Sequence, residues 1–228
     1  MTIEEILRPA SLAVAALMPI VNPLGSAPIF LSASADLPTM ARRHLSVQVA
    51  RNSFLLLAAA MLVGSHVLRI CGISVPIVRV AGGLLVVANG WRMLNETAPP
   101  PRGSIQVEHA WEREVARRAF YPLTFPLTVG PGSISVAITL GAAIARRPST
   151  GIREIVTVLL GVAAVASCVY LSYRYASRLI ASLGATGAEV FTRLSSFILL
   201  CVGVGIMWGG FVDLLASLPS IRQGSRLL

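Results

Sequence analysis

Two stretches of the chain, residues 9–35 and 119–145, run for 27 residues each without an Asp, Glu, Lys or Arg. A helix needs about 20 mainly apolar residues to cross the hydrocarbon core of a bilayer, so each stretch is long enough to span a membrane. Inside the bilayer the backbone must satisfy its own hydrogen bonds, which a helix does. These two stretches therefore restrict the chain to folds in which apolar helices cross a membrane.

The composition agrees with a membrane protein, because 55% of the residues are hydrophobic and only 13% are charged. A soluble domain carries about 25% charged residues. Glu4, Glu5 and the prolines of the first run argue against a cleaved signal peptide, so we expect this run to be retained. The fold class that we predict is an all-α membrane protein. Its six transmembrane helices are expected over approximately residues 9–34, 47–68, 73–91, 121–145, 155–173 and 190–218.

Both charge-free runs are interrupted by proline and glycine. The first contains Asn22–Ser26, with the sequence NPLGS, and the second contains Gly130–Ser133, with the sequence GPGS, after Pro122 and Pro126. Proline removes a backbone donor and clashes with the preceding turn, and glycine loosens the chain. We therefore expect both helices to break. The freed backbone groups must then face protein, water or a ligand, and the alternative to a ligand site is a structural kink satisfied by neighbouring helices.

The two halves of the chain follow the same plan. Each begins with a broken run, continues with an uninterrupted span and ends with a span that carries an arginine soon after its start, Arg79 or Arg193. Because three spans is an odd number, halves that share a fold must lie inverted in the membrane. We therefore predict a first three-helix repeat over residues 1–94, a hydrophilic linker over 95–118 and a second inverted three-helix repeat over 119–228.

Paired broken helices in corresponding halves mark the substrate site of many transporters. We predict that the two breaks line one cavity near the membrane midplane. Half-helix N-termini there offer N–H donors to a carboxylate or phosphate, and the opposing helix ends offer carbonyls to a cation. Arg79 and Arg193 lie only one or two turns inside their spans, which favours extension of their side chains to the membrane interface. The alternative is that they face the broken helices and attract an anionic group. The predicted substrate-binding residues are Asn22, Pro23, Gly25, Ser26, Arg79, Thr128, Gly130, Pro131, Gly132, Ser133 and Arg193.

Several other kinds of site are not predicted. The three cysteines and three histidines lack the spacing of metal ligands, so we expect neither a metal site nor a cofactor. The net charge of +9 does not accompany a soluble basic module, which argues against nucleic-acid binding. No nucleophile and base pattern indicates an enzyme. No Asp or Glu lies centrally in a span, which disfavours a carboxylate-driven antiporter, although His66 or Asp213 could titrate.

The last span contains a helix-packing motif. Gly205 and Gly209 form G-x-x-x-G, a pattern that permits close approach of a second helix. We expect this pair to pack within the chain, and a homodimer interface is the alternative.

Four segments resemble the MarC family of bacterial membrane proteins: Asn22–Phe30, Gly72–Gly83, Pro126–Gly132 and the dipeptide Arg193–Leu194. The resemblance covers essentially the whole chain and departs mainly in the linker. It implies a six-span, multi-pass protein of the bacterial inner membrane, distantly similar to the LysE-type exporter superfamily. Some members of the MarC family are classed as transporters of neutral amino acids. Together with the paired breaks, it favours a secondary transporter or exporter of a small neutral or zwitterionic solute. The alternative is a non-transporting membrane protein that supports assembly or the stress response.

The charges also predict a topology that can be tested. Both termini should lie outside the cell and the linker in the cytoplasm, because the loops after the first, third and fifth spans carry eleven of the 19 basic residues. Reporter fusions at Gly103 and at the C-terminus should therefore give opposite signals. Equal signals would contradict the six-span layout, whereas exchanged signals would contradict only the orientation.

Overall fold

The computed structural model describes residues 3–95, 111–145 and 152–217, and within these ranges every regular element is helical. Between α5 and α6 lies an irregular helical segment, Ala119–Thr128, which contains Pro122 and Pro126. The helices are α1 Ile3–Val21, α2 Pro23–Ala33, α3 Thr39–Ile70, α4 Val75–Asn95, α5 Trp111–Arg118, α6 Pro131–Ala145, α7 Ile152–Arg174 and α8 Ala176–Ala216.

Four of these helices, α3, α4, α7 and α8, are long and apolar enough to cross a membrane. Two bent pairs bring the number to six if each pair counts as one span: α1 with α2, bent by 43°, and Val115–Thr128 with α6, bent by 71°. The prediction of an all-helical membrane protein is therefore confirmed, with four to six candidate spans. The two bends coincide with the two predicted helix breaks.

Two elements extend beyond the predicted boundaries. The last eight residues of the predicted linker form α5, which leads into the second bent pair, whereas residues 96–110 lie outside the described ranges. Helix α8 starts at Ala176, well before the predicted start near residue 190, and its backbone breaks at Gly184, where φ is 68°. A glycine takes this left-handed conformation without steric cost. A short helical piece, 176–183, therefore precedes the long span.

Helices α4 and α8 pack together through glycines on both helices. Gly83 and Gly90 of α4 lie against the backbone of α8, and Gly203 and Gly210 of α8 lie against the backbone of α4. A Cβ atom on Gly83 would lie 2.5 Å from a backbone nitrogen of α8, and one on Gly203 would lie 2.7 Å from a backbone nitrogen of α4. The two backbones are thus in direct contact, as small residues allow between membrane helices.

The predicted G-x-x-x-G pair is not the one that makes this contact. A Cβ atom on Gly205 would meet nothing within 4 Å, and one on Gly209 would lie 3.0 Å from a guanidinium nitrogen of Arg79. The prediction that this pair packs within the chain is therefore wrong for Gly205, whereas Gly209 does lie against a side chain of α4. The homodimer interface stays the untested alternative.

The remaining spans pack across the two halves of the chain. Helix α1 packs on α7, α3 packs on both α6 and α7, and α6 also packs on α4. A core of apolar side chains fills the space between them, and its largest fully buried members include Tyr173, Phe30, Leu17, Leu45 and Leu57.

Alanine substitutions in α8 test the backbone contact between α4 and α8. Replacing glycine with alanine raises helix propensity by up to about 1 kcal/mol at either Gly203 or Gly205. We expect Gly203→Ala to lower the thermal stability of the purified protein in detergent, because overpacking a close contact costs about 1–3 kcal/mol. Gly205→Ala, which meets open space, should leave stability unchanged or raise it. Equal effects of the two variants would contradict the described contact.

Candidate functional site

The first helix break occurs at Asn22, which adopts a left-handed conformation with φ 43° and ψ 57°. Asparagine tolerates this conformation better than most residues, and Pro23 is well placed as the first residue of α2 because its missing N–H has no partner to lose. The Asn22 Oδ1 atom accepts a hydrogen bond of 3.2 Å from the Gly25 backbone N–H, so it caps α2. The Asn22 Nδ2 atom is buried and has no hydrogen-bond partner.

The second break follows the irregular segment before α6. Its backbone leaves helical angles at Tyr121 and Phe125, the residues that precede the two prolines. Each proline removes one N–H donor from the segment, and two threonine hydroxyls bond to backbone carbonyls of the same segment. Thr124 Oγ1 donates to the Ala119 carbonyl at 2.5 Å, and Thr128 Oγ1 donates to the Leu123 carbonyl at 2.6 Å.

Tyr173, near the end of α7, joins the two breaks. Its hydroxyl lies 2.7 Å from Thr128 Oγ1 and also hydrogen-bonds with the side chain of Ser26, while its ring stacks on Phe30 with 4.3 Å between centroids. Because Thr128 already donates to the Leu123 carbonyl, the Tyr173 hydroxyl must donate to Thr128 and accept from Ser26. A chain of hydroxyls therefore connects α2 to the second break through a side chain that is 1% exposed.

Sequence reasoning did not identify Tyr173. The residue stands beside Arg174 at the end of an apolar run, where a tyrosine is typical of the membrane interface. The available signal was the serine or threonine in each broken run, because buried hydroxyls there need a partner from another helix.

A cavity of about 310 Å³ lies beside the second break. Five predicted site residues line it, all from the second half, whereas the end of α1 contributes Ile20. The cavity therefore lies between the second broken span and the α4–α8 pair, with α1 at one side. Its lining residues are Ile20, Leu85, Val86, Ala88, Asn89, Arg92, Pro126, Leu127, Thr128, Gly130, Pro131, Gly132, Ser133 and Leu199.

The predicted residues of the first break lie outside this lining. Gly25 packs closely against the Asn22 side chain, since a Cβ atom there would lie 2.4 Å from Nδ2. Pro23 and Ser26 are buried. The structure thus brings the first break to the second through the Ser26 and Tyr173 hydroxyls, and it places the first break behind the cavity rather than on its surface.

The two arginines that the sequence nominated also lie away from the cavity. Arg79 of α4 forms an ion pair with Asp213 near the end of α8, and Arg193 Nη2 lies 2.7 Å from Glu189 Oε1 one turn earlier in the same helix. The side chains of the second pair are 59% and 58% exposed, so the pair lies on the surface of the protein. Surface pairs of this kind contribute about 0–1 kcal/mol to stability.

Arg92, which the sequence did not nominate, is the arginine that lines the cavity. It lies near the end of α4, and its Nη2 donates to Asn89 Oδ1 at 3.2 Å. The start of α6 lines the same cavity through Pro131, Gly132 and Ser133, and the first N–H groups of a helix lack partners within it. The cavity therefore combines a guanidinium group with the positive end of a helix.

An ion pair connects the two halves where α2 ends. Arg118 Nη1 lies 2.8 Å from Asp36 Oδ1, and the side chains are 17% and 6% exposed. The same guanidinium contacts the Ala33 carbonyl at 3.4 Å. Removing one partner of a buried pair costs about 3–5 kcal/mol, because the other charge stays buried. This contact therefore fixes the end of the first broken span to the start of the second.

Within the described ranges, no three His, Cys, Asp or Glu side chains come close enough together to hold a metal ion. The chemistry that the cavity offers is therefore that of hydrogen bonding, positive charge and apolar contact.

The hydroxyl chain leads to a direct test. Tyr173→Phe keeps the ring stacked on Phe30 but removes the acceptor for Ser26, and a buried donor without a partner costs about 1–3 kcal/mol. We expect a lower midpoint of thermal unfolding for this variant in detergent. Tyr175→Phe is the matched control, because Tyr175 is 45% exposed. A similar midpoint for both variants would contradict the role of the hydroxyl.

Comparison with known proteins places the chain in a family. Residues 9–215 match the family described as MarC family integral membrane protein. The UPF0056 membrane protein YvbG of Bacillus subtilis (strain 168) is 30% identical over 199 residues, which cover 87% of this chain and 92% of that protein. The UPF0056 inner membrane protein MarC of Escherichia coli (strain K12) is 29% identical over 216 residues, which cover 92% and 97%. No solved structure matches. The chain is therefore an integral membrane protein that belongs to the MarC family.

Proposed function

We propose that this protein is a secondary transporter or exporter of a small neutral or zwitterionic, amino-acid-like solute in the bacterial inner membrane. The observation that carries the proposal is the cavity of about 310 Å³ beside a broken span. Small-molecule sites occupy about 300–1,000 Å³, so this volume suits a small solute better than a bulky drug. The inner-membrane location is supported by a relative that is named an inner membrane protein.

The backbone of the second break supports binding at this place. Gly130 does not pack against another helix. A Cβ atom built on it would have one neighbour within 4 Å, the Pro126 carbonyl oxygen at 3.0 Å. Gly132, in contrast, packs against α4, because a Cβ atom built on it would lie 2.0 Å from a methyl group of Val86. The backbone at Gly130 is therefore the part of the break that remains accessible to a solute.

The packing between the halves supports two inverted three-helix repeats. The first span of each half packs on the second span of the other half: α1 on α7, and α6 on α3. The third spans, α4 and α8, pack on each other. A pseudo-two-fold axis in the membrane plane would relate the two halves in this way. In many transporters with inverted repeats, one repeat rocks against the other around a central binding site.

One observation favours the alternative, a non-transporting membrane protein that supports assembly or the stress response. The hydroxyls of Thr124 and Thr128 already satisfy carbonyls of the second break, so part of this break needs no ligand. We still favour transport, because these hydrogen bonds do not fill the cavity and do not involve the N-terminus of α6 that lines it.

A cavity-filling variant tests transport. Ala88→Phe places a ring in the cavity, whereas Ala81→Phe places the same ring on an exposed part of α4 one heptad earlier. In proteoliposomes supplied with radiolabelled neutral amino acids, we expect Ala88→Phe to lower uptake by about tenfold or more, equivalent to about 1.4 kcal/mol of binding. The control variant should transport normally at equal protein content. Absence of uptake by the unmodified protein, or equal effects of the two variants, would contradict the proposal.

A further inference from the structure

We propose that this protein binds the phosphate group of an anionic phospholipid at a surface site formed by Arg174, Tyr175 and Arg178. The site lies where α7 ends and α8 begins, and none of its three residues lines the cavity. The ligand class is a phospholipid whose headgroup carries a negative phosphate and no amine. The proposal is independent of transport, because it concerns a different surface of the molecule.

Two guanidinium groups share one aromatic ring at this site. The central carbon of the Arg174 guanidinium lies 5.6 Å from the centroid of the Tyr175 ring, and that of Arg178 lies at the same distance. The two positive charges are therefore no further apart than twice that distance. Like charges four residues apart on a helical chain repel each other, and a cation–π contact attracts a cation to the ring without removing its charge. An anion that contacts both groups would remove this repulsion.

No acidic side chain compensates the two charges. In the part of the chain that the structure describes, neither Arg174 nor Arg178 forms an ion pair with a carboxylate. Arg193, further along α8, shows the contrast, because Glu189 pairs with it at 2.7 Å. The junction of α7 and α8 therefore presents positive charge to whatever surrounds it.

The position of the junction places it at the surface of the membrane. The candidate span of α7 ends at Arg174, and that of α8 begins at Thr186. The short helical piece 176–183 connects them, and the backbone breaks at Gly184. A segment between two consecutive spans stays at one surface of the bilayer, where the lipid phosphates lie. Tyrosine and arginine side chains both suit this depth, because each has an apolar body and a polar end.

Exposed apolar side chains lie beside the two charges in the chain. Leu171, one turn before Tyr175 in α7, is 50% exposed, and Leu183, at the end of the short helical piece, is 40% exposed. Contact with acyl chains would remove this apolar surface from water, which is favourable. A free phosphate ion has no group that could do so. The combination of charge and apolar surface therefore favours a lipid over a soluble phosphate.

The charges also predict which phospholipid binds best. A guanidinium group presents donors in a planar fork that matches the oxygens of a phosphate. Phosphatidylglycerol offers a phosphate and no positive group, whereas phosphatidylethanolamine carries an ammonium group beside its phosphate. Both guanidinium groups repel that ammonium group, so phosphatidylglycerol should bind more tightly.

Native mass spectrometry of the full-length protein in detergent measures this preference. The protein is titrated with phosphatidylglycerol and with phosphatidylethanolamine that carry identical acyl chains. We expect phosphatidylglycerol to bind at least about tenfold more tightly, and the difference to shrink as the ionic strength rises. Equal affinities for the two lipids at low ionic strength would overturn the proposal.

Substitutions locate the preference at the junction. The double variant Arg174→Gln/Arg178→Gln should weaken phosphatidylglycerol by about tenfold or more and remove its advantage over phosphatidylethanolamine. Arg174→Lys/Arg178→Lys should recover part of the loss, because lysine restores the charge without the fork. The matched control is Arg43→Gln/Arg51→Gln, which removes the same number of charges from exposed positions of α3. Equal losses in the glutamine variant and the control would overturn the proposal.

Two further measurements keep the test decisive. If the double glutamine variant does not fold, Arg178→Gln alone should still weaken phosphatidylglycerol by about threefold or more, because its side chain is exposed. Glycerophosphoglycerol, the same headgroup without acyl chains, distinguishes a lipid from a soluble phosphate. We expect it not to displace the lipid even at about hundredfold excess, since it lacks the apolar contacts. Displacement at equal concentration would overturn the assignment to a lipid.

Discussion

Backbone groups that leave a helix inside hydrocarbon must find hydrogen-bond partners, and much of this structure serves that need. The first break is capped by the Asn22 side chain. At the second, the hydroxyls of Thr124 and Thr128 bond to the Ala119 and Leu123 carbonyls. Tyr173 joins the two sets through hydrogen bonds to Ser26 and Thr128. The first N–H groups of α6 lack partners within that helix, and the start of α6 lines the cavity.

The cavity also depends on the rigidity of the helices opposite the break. Helix α4 supplies Leu85, Val86, Ala88, Asn89 and Arg92 to the lining, and it lies in backbone contact with α8 through its glycines. Two helices in such contact have little freedom to separate or rotate without clashes. Any change in the size of the cavity therefore requires movement of the broken span relative to the α4–α8 pair.

Local sequence features were sufficient to predict the breaks, because Pro23 and Pro131 act through their own backbone geometry. The charge-free runs likewise predicted the apolar helices. The contributions of Tyr173, Arg92 and Gly203 could not be predicted in the same way, since each depends on which face of a helix meets another helix. Spans that are apolar all round carry little periodicity to reveal that face. For the same reason, Arg79 and Arg193 were nominated by their depth in a span, although the structure pairs them with Asp213 and Glu189.

The ion pair between Asp36 and Arg118 bears on the order in which the chain is assembled during synthesis. Asp36 is almost fully enclosed, yet its partner lies 82 residues further along the chain. While the first half alone has been made, this carboxylate lacks the Arg118 guanidinium group. The contact between Asp36 and Arg118 therefore forms only after the start of the second half has been made. A nascent chain that stops early would lack the ion pair that joins the two halves at this end.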